Sequence, residues 1–390
     1  GSLAHGILLN NGSDTNTTTI LGNITTTGSN SRGIDVVEAD SNTTTMTGNI
    51  TTSGHGIHIY RGLSNTTTVS GNISTSGGWG IDSVRLAESH SNITSITGNI
   101  LTQSEGGMSI RIQDSNSNTT SVFGNITNTA NFSYGIWLVR STGNTTTITG
   151  NMSILGRSSF GVYLYNSASN TTTMTGNISS TADGGNGIRL EQSESNTTTM
   201  TGNITMTGLN ATGLELTTAS DSNNITINGD ITTSSTGGSG EPIRFTNSDS
   251  NTITLSGAAH SLGGDQAISV DADSQSNTFI FKQGASFIGG LENNGGTTNT
   301  LRFDMGKAAS YNLDTDETTW TLEDTSKPIV SGSAKSMGVA DIDNQAHILY
   351  RRMDPVNDVL SERQRLYTEG QRPTGYYMDS YYGHDKRDED

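Results

Sequence analysis

Asp35, His58 and Asp82 each stand second after a glycine in runs of one form, Gly33-Ile34-Asp35, Gly56-Ile57-His58 and Gly80-Ile81-Asp82. Two carboxylates and an imidazole on successive turns of a repeating fold, with Glu38 nearby, are what acid–base chemistry on a glycosidic bond requires: one group to hold a proton and one to remove it. Stacked at the strand spacing, about 5 Å apart, such groups shift one another's pKa. The plainer reading of the same residues is a solvated strand face of mixed charge. The same place in later runs holds Ser109, Trp137, Tyr163, Arg189 and Glu215. The seven histidines show no HxH or HExxH spacing. There is no GxSxG, no phosphate-cradling loop and no GGxGxD calcium repeat. No catalytic set, metal site or cofactor is therefore assigned.

A second chemistry is recognition. The segments after these glycines vary from repeat to repeat at their outward positions, and they carry Tyr60, Trp79, Trp137, Tyr163 and Tyr165 together with Arg61, Arg111, Arg140 and Arg189. Aromatic faces stack on sugar rings and arginine anchors polar groups, so Tyr60, Arg61, Trp137, Arg140, Tyr163, Tyr165 and Arg189 are the candidate ligand-binding residues. Scattered aromatics that only support cross-strand packing are the structural alternative. A third surface is nearly invariant. Thr43, Thr45, Thr47, Thr66, Thr68, Thr145, Thr147, Thr149, Thr171, Thr173, Thr175, Thr197 and Thr199 alternate with inward residues and predict a flat hydroxyl grid. Such a grid suits self-association through many weak hydrogen bonds. It also has the TxT form of ice-contacting solenoid faces, although Leu21, Ile93 and Phe123 interrupt it.

The elements that place these residues follow from a repeat. Gly-Asn pairs recur at Gly22, Gly48, Gly71, Gly98, Gly124, Gly150, Gly176 and Gly202, with Gly229-Asp230 as a near copy, mostly 26 residues apart. Each period reads as an apolar-alternating segment, a polar bend, a Ser-Asn-Thr-Thr-Thr segment, a Gly-Asn corner, a short Ile/Thr segment and a Gly/Ser turn. In "GIHIYRG", Ile57 and Ile59 point one way and His58 and Tyr60 the other, which is strand spacing rather than helical spacing. One turn buries too little alone; stacked turns share a narrow core. The pattern predicts an all-β chain, a right-handed parallel β-helix of about ten to twelve coils. In-register stacking predicts an amide ladder through Asn42, Asn65, Asn92, Asn118, Asn144, Asn170 and Asn196, and a similar column at Thr44 and its counterparts.

Composition agrees with a thin core: 390 residues, 30% apolar, 48 glycines and four prolines. A net charge of −17 disfavours nucleic acid or an anionic membrane as partner. With no cysteine, disulfides are excluded. Repeats extend over 1–296; 297–336, with "ETTWTLEDTS", reads as a capping coil; 337–390 contains "VNDVLSERQRLY", spaced as a linker helix, and the alternating "GYYMDSYYGHDKRDED".

That order, carried by "TTWTLEDTSKPIVSGSAKSMGVADID", "VNDVLSERQRLY" and "GYYMDSYYGHDKRDED", resembles the passenger domains of Gram-negative type V secretion autotransporters. The resemblance implies a junction coil, a linker helix and the first strand of an outer-membrane barrel, the chain's own C-terminal partner. It also implies a bacterial cell-surface location, anchored at the outer membrane or released. An adhesin role follows, by self-association between passengers or by attachment to a surface glycan or protein. A β-helical polysaccharide lyase or hydrolase is the alternative from another class, and an ice-binding surface protein is the third.

Overall fold

The computed structural model describes residues 4–304 apart from 29–30, 235–239, 264–265 and 295–297, together with Trp320 and short strands between 309 and 341. The chain winds as a right-handed parallel β-helix with three strands per turn and no helix among the described residues. The strands form three long sheets of 12, 13 and 12 members. Sheet I collects the segments after the glycine markers, such as Ile57–Tyr60 and Met108–Gln113. Sheet II collects the Thr-rich segments, such as Thr43–Thr47 and Thr145–Thr149. Sheet III collects the three-residue segments such as Ile50–Thr52.

Each sheet sends alternate side chains inward. Ile57 and Ile59 from sheet I, Met46 from sheet II and Ile50 from sheet III are fully buried in one continuous apolar column. The Asn ladder forms as expected and is longer, running from Asn16 to Asn299. In its middle, Asn118 Nδ2 donates to Asn144 Oδ1 at 3.0 Å and Asn118 N donates to the same oxygen at 2.9 Å. The second Nδ2 hydrogen of Asn118 reaches the Ser89 carbonyl at 2.8 Å. Each buried amide is thus satisfied at both ends.

One local expectation is corrected. The inward threonines stack in register but do not bond one another: the hydroxyls of Thr67, Thr94, Thr120, Thr146, Thr172 and Thr198 are buried without a hydrogen-bond partner. On sheet III, by contrast, Thr26 Oγ1 donates to Thr52 Oγ1 at 2.6 Å across one strand step, so the strand spacing itself does not forbid such a bond. At the Gly-Asn corner, glycine alone takes the positive φ, 142° at Gly48 and 148° at Gly150. A Cβ at Gly150 would stand 2.1 Å from the Gly124 carbonyl oxygen, so the coils approach too closely there for any other residue. The corner asparagine instead builds a second, exposed ladder, with Asn151 N donating to Asn125 Oδ1 at 2.8 Å.

Beyond 297, Thr300–Asp304 and Thr321–Asp324 continue sheet II in parallel. Ser336–Gly338 pairs antiparallel with Ser286–Ile288, which halts parallel growth of sheet III. Trp320 packs edge-on against Phe279 and donates to the Leu291 carbonyl at 3.1 Å. The expected linker helix and the aromatic segment 375–390 lie outside the described residues.

Candidate binding face on sheet I

The outer face of sheet I carries two adjacent columns of side chains. One runs Asp35, His58, Arg85, Arg111, Trp137, Tyr163, Arg189 and Glu215. The other lies three residues earlier in each turn and includes Arg32, His55, Asp82, Met108, Tyr134, Phe160 and Asn186. Strict alternation would turn the earlier column inward. The intervening glycine breaks the parity: a Cβ at Gly135 would meet Met152 Sδ at 2.3 Å and one at Gly161 the Gly187 carbonyl at 2.4 Å, so these glycines are pressed into the core and the residue before each swings out.

Registration corrects the expected stacking of Asp35, His58 and Asp82 in one column. Ile57 pairs with Val84, so Ser83 is the counterpart of Gly56, and the residue aligned with His58 is Arg85 rather than Asp82. Likewise Arg111, not Ser109, faces Trp137. Ser83 and Ser109 replace the glycines in these two turns and join a buried relay, Thr75–Ser83–Thr102–Ser109, each step 2.9 Å, ending with Ser109 Oγ donating to Asn128 Oδ1 at 2.6 Å. Asp35, His58 and Asp82 are therefore not brought together. Asp35 lies with His58 and Arg32, while Asp82 belongs to the neighbouring column.

At this charged end, Asp35 Oδ1 is 2.9 Å from His58 Nδ1 and accepts from Arg32 at 2.8 Å. Burial works against the Asp35 carboxylate, but His58 and Arg32 outweigh it and hold its pKa below the ordinary value. Burial likewise lowers the pKa of His58 despite its bond to Asp35, so the ring is neutral and donates through Nδ1. His55 stacks on His58 at 5.4 Å and accepts the Asp82 backbone N–H at Nδ1, 2.9 Å away. Burial, with His58 and Arg85 adjacent, pushes its pKa down to about 3. Its single proton therefore sits on Nε2. Asp82 is fully buried and its pKa is pushed up to about 6 by that burial, against the pull of Arg111 and the Met108 N–H. No group of three or more His, Asp or Glu side chains among the described residues is placed to hold a metal ion.

The other half is aromatic. Tyr134 stacks on Phe160 at 4.8 Å and Trp137 on Tyr163 at 6.3 Å, and the two pairs meet edge to face, as in Tyr134–Trp137 at 5.7 Å. Arg111 lies over the Trp137 ring at 4.5 Å. Arg189 lies over Phe160 at 5.4 Å and bridges Glu191 and Glu215 at 2.8 and 3.2 Å. Glu191 also accepts the Tyr163 hydroxyl at 2.8 Å; burial and that bond raise the pKa of Tyr163.

Of the expected ligand-binding residues, Trp137, Tyr163 and Arg189 form this platform, and Tyr165 leans on Tyr163 at 6.1 Å. Tyr60 lies against His58 at the charged end, three strands from Trp137. Arg61 and Arg140 do not join the platform. They occupy left-handed turn positions and pair with Glu38, Glu88 and Asp114 in an exposed ion ladder. Trp79 lies on the preceding loop, 68% exposed, against Phe132 at 6.0 Å. Tyr134, Phe160, Arg85 and His55 were missed because each precedes a glycine or sits in a turn where serine replaces it.

The threonine grid occupies sheet II. Thr43, Thr45 and Thr47 are exposed, Thr66 and Thr68 partly so. Thr145, Thr147 and Thr149 align with Thr171, Thr173 and Thr175, and these with Thr197, Thr199 and Thr201, without slip. Leu21, Ile93 and Phe123 stand exposed among the rows. Comparison with known proteins returns no matching family model, no matching curated protein and no matching solved structure.

Proposed function

We propose that the chain is a surface-displayed adhesin rod, of the autotransporter-passenger kind, that attaches through sheet I to a saccharide. The observation that carries this reading is the contiguous platform of Tyr134, Trp137, Phe160 and Tyr163 with Arg111 and Arg189 laid across its rings. The half-buried rings of Tyr134 and Trp137, backed by the buried Phe160 and Tyr163, lie beside arginine donors, a combination that suits a pyranose, which has an apolar face and a polar rim. The strand step of about 4.8 Å is close to the advance of one sugar along an extended chain, so a glycan laid parallel to the helix axis meets equivalent positions turn after turn. Titration of the protein with oligosaccharides, followed by tryptophan fluorescence, tests it. Saturable quenching is expected, weakened about tenfold or more by Trp137→Ala. Absence of any saccharide binding sinks the reading.

A second reading, self-association through sheet II, is favoured by the unbroken register of Thr145–Thr149, Thr171–Thr175 and Thr197–Thr201. Each hydroxyl contributes little alone, so the contact must be long and cooperative. Sedimentation of Thr147→Tyr/Thr173→Tyr beside the native chain distinguishes the two faces: the variant stays monomeric at concentrations where the native rods pair. If native rods stay monomeric throughout, this second reading fails.

A further inference from the structure

The arginines of the sheet I region divide into two kinds. Arg32, Arg61, Arg140 and Arg189 each hold a carboxylate at 2.6 to 2.8 Å. Arg85 and Arg111, directly paired on neighbouring strands, do not. Arg85 Nε is buried with no partner, and Arg85 Nη1 stands 3.4 Å from His55 Nε2. That nitrogen carries the ring proton, because Nδ1 already accepts the Asp82 backbone N–H. Two donors facing each other make no bond. Arg111 Nε is likewise unpartnered, and its Nη1 stands 3.8 Å from Asp82 Oδ2, too far for a hydrogen bond. Asp82 Oδ2 also has no hydrogen-bond partner. Asp82 is hydrogen-bonded to neither guanidinium, and Asp114, which also acts on Arg111, is already held by Arg140, so the pair is under-compensated on a chain whose net charge is −17.

Like charges one strand apart repel, and unmet guanidinium donors are costly in a half-buried place, so the pair is arranged for an acceptor that comes from outside. The side adjoining it is Trp137, which Arg111 already covers at 4.5 Å and whose Nε1–H is also unpartnered. We propose that Arg85 and Arg111 bind an anionic substituent, a carboxylate or a sulfate ester, on a sugar whose neighbouring unit stacks at the Trp137–Tyr163 platform. This inference rests on the saccharide reading and narrows it to acidic glycans. Planar forked donors on consecutive strands match the two-oxygen geometry of either anion.

Affinities of the full chain are measured for three oligosaccharides of equal length, one neutral, one bearing uronic acids and one bearing sulfate esters, and for inorganic sulfate alone. An acidic glycan is expected to bind at least about tenfold more tightly than the neutral one. Arg85→Gln/Arg111→Gln removes that preference, with an unchanged far-UV spectrum and thermal midpoint reporting the intact fold. Arg85→Lys keeps part of it. Trp137→Ala weakens all three. The uronate and sulfate arms identify which anion is preferred. Equal affinity for neutral and acidic glycans, or an acidic preference that survives the double substitution, overturns the inference and leaves the saccharide reading standing. Inorganic sulfate bound as tightly as the sulfated glycan overturns the sugar-borne part. No binding of any glycan removes the saccharide reading itself.

Discussion

At the scale of single residues the molecule stores its chemistry in buried titrating groups on one face. His55 is neutral in the fold with its pKa near 3, against an ordinary value of 6.5, so it contributes stability that is present above pH 6.5 and lost as pH falls through 3. Asp82, raised from 3.8 to about 6, has the opposite sign: its contribution is complete below pH 3.8 and lost as pH rises through 6. The two oppose each other between about pH 6 and 4, and His58 and Asp35, both lowered, add to the loss in acid. Thermal unfolding followed across pH 3 to 8 is expected to show a falling midpoint in acid, shallower in His55→Gln; an identical acid limb in the variant would reject the assignment. The ladder gives a second residue-scale prediction. Asn144→Leu preserves bulk but strands the Asn118 backbone N–H and Nδ2, each costing about 1–3 kcal/mol, visible as a lower denaturation midpoint.

At the scale of elements, the corner glycines and the segments between them do different work. Gly150→Ala places a Cβ against the previous coil and is expected to cost about 1–3 kcal/mol or more by overpacking. Gly143→Ala, with φ 67° and nothing nearer than 3.8 Å, costs only the left-handed backbone, about 1 kcal/mol. Equal denaturation midpoints for the two would contradict close coil approach as the reason for the corner glycine. The repeat, the three strands per turn, the Asn ladder and the outward threonines were legible because period and parity are sequence properties. The face on sheet I was legible only in part. Trp137, Tyr163 and Arg189 follow a glycine marker and obey alternation, whereas Tyr134 and Phe160 are turned outward by a glycine whose parity break depends on the packing of Met152 and of the next coil. Asp82 was misplaced because Gly80 lies in a turn and Ser83 takes the marker's place in the stack. Charge pairing is another level removed, since Arg61 and Arg111 look alike in sequence and differ only in their neighbours.

For the whole molecule, stacking identical turns makes a rod whose faces are continuous, so any surface property is repeated or graded along its length. Sheet II keeps one composition over many turns. Sheet I passes from a charged end at Asp35 and His58, through the arginine pair, to the aromatic platform and then to the acidic Glu191 and Glu215. The proposed adhesin role predicts that attachment depends on this face and not on the grid. The direct measurement is attachment of cells displaying the rod to a saccharide-coated surface, comparing the native chain, Trp137→Ala and Thr147→Tyr/Thr173→Tyr at matched display levels. The account predicts that Trp137→Ala abolishes most attachment while the threonine variant attaches like the native chain. Full attachment by Trp137→Ala with loss in the threonine variant would contradict it.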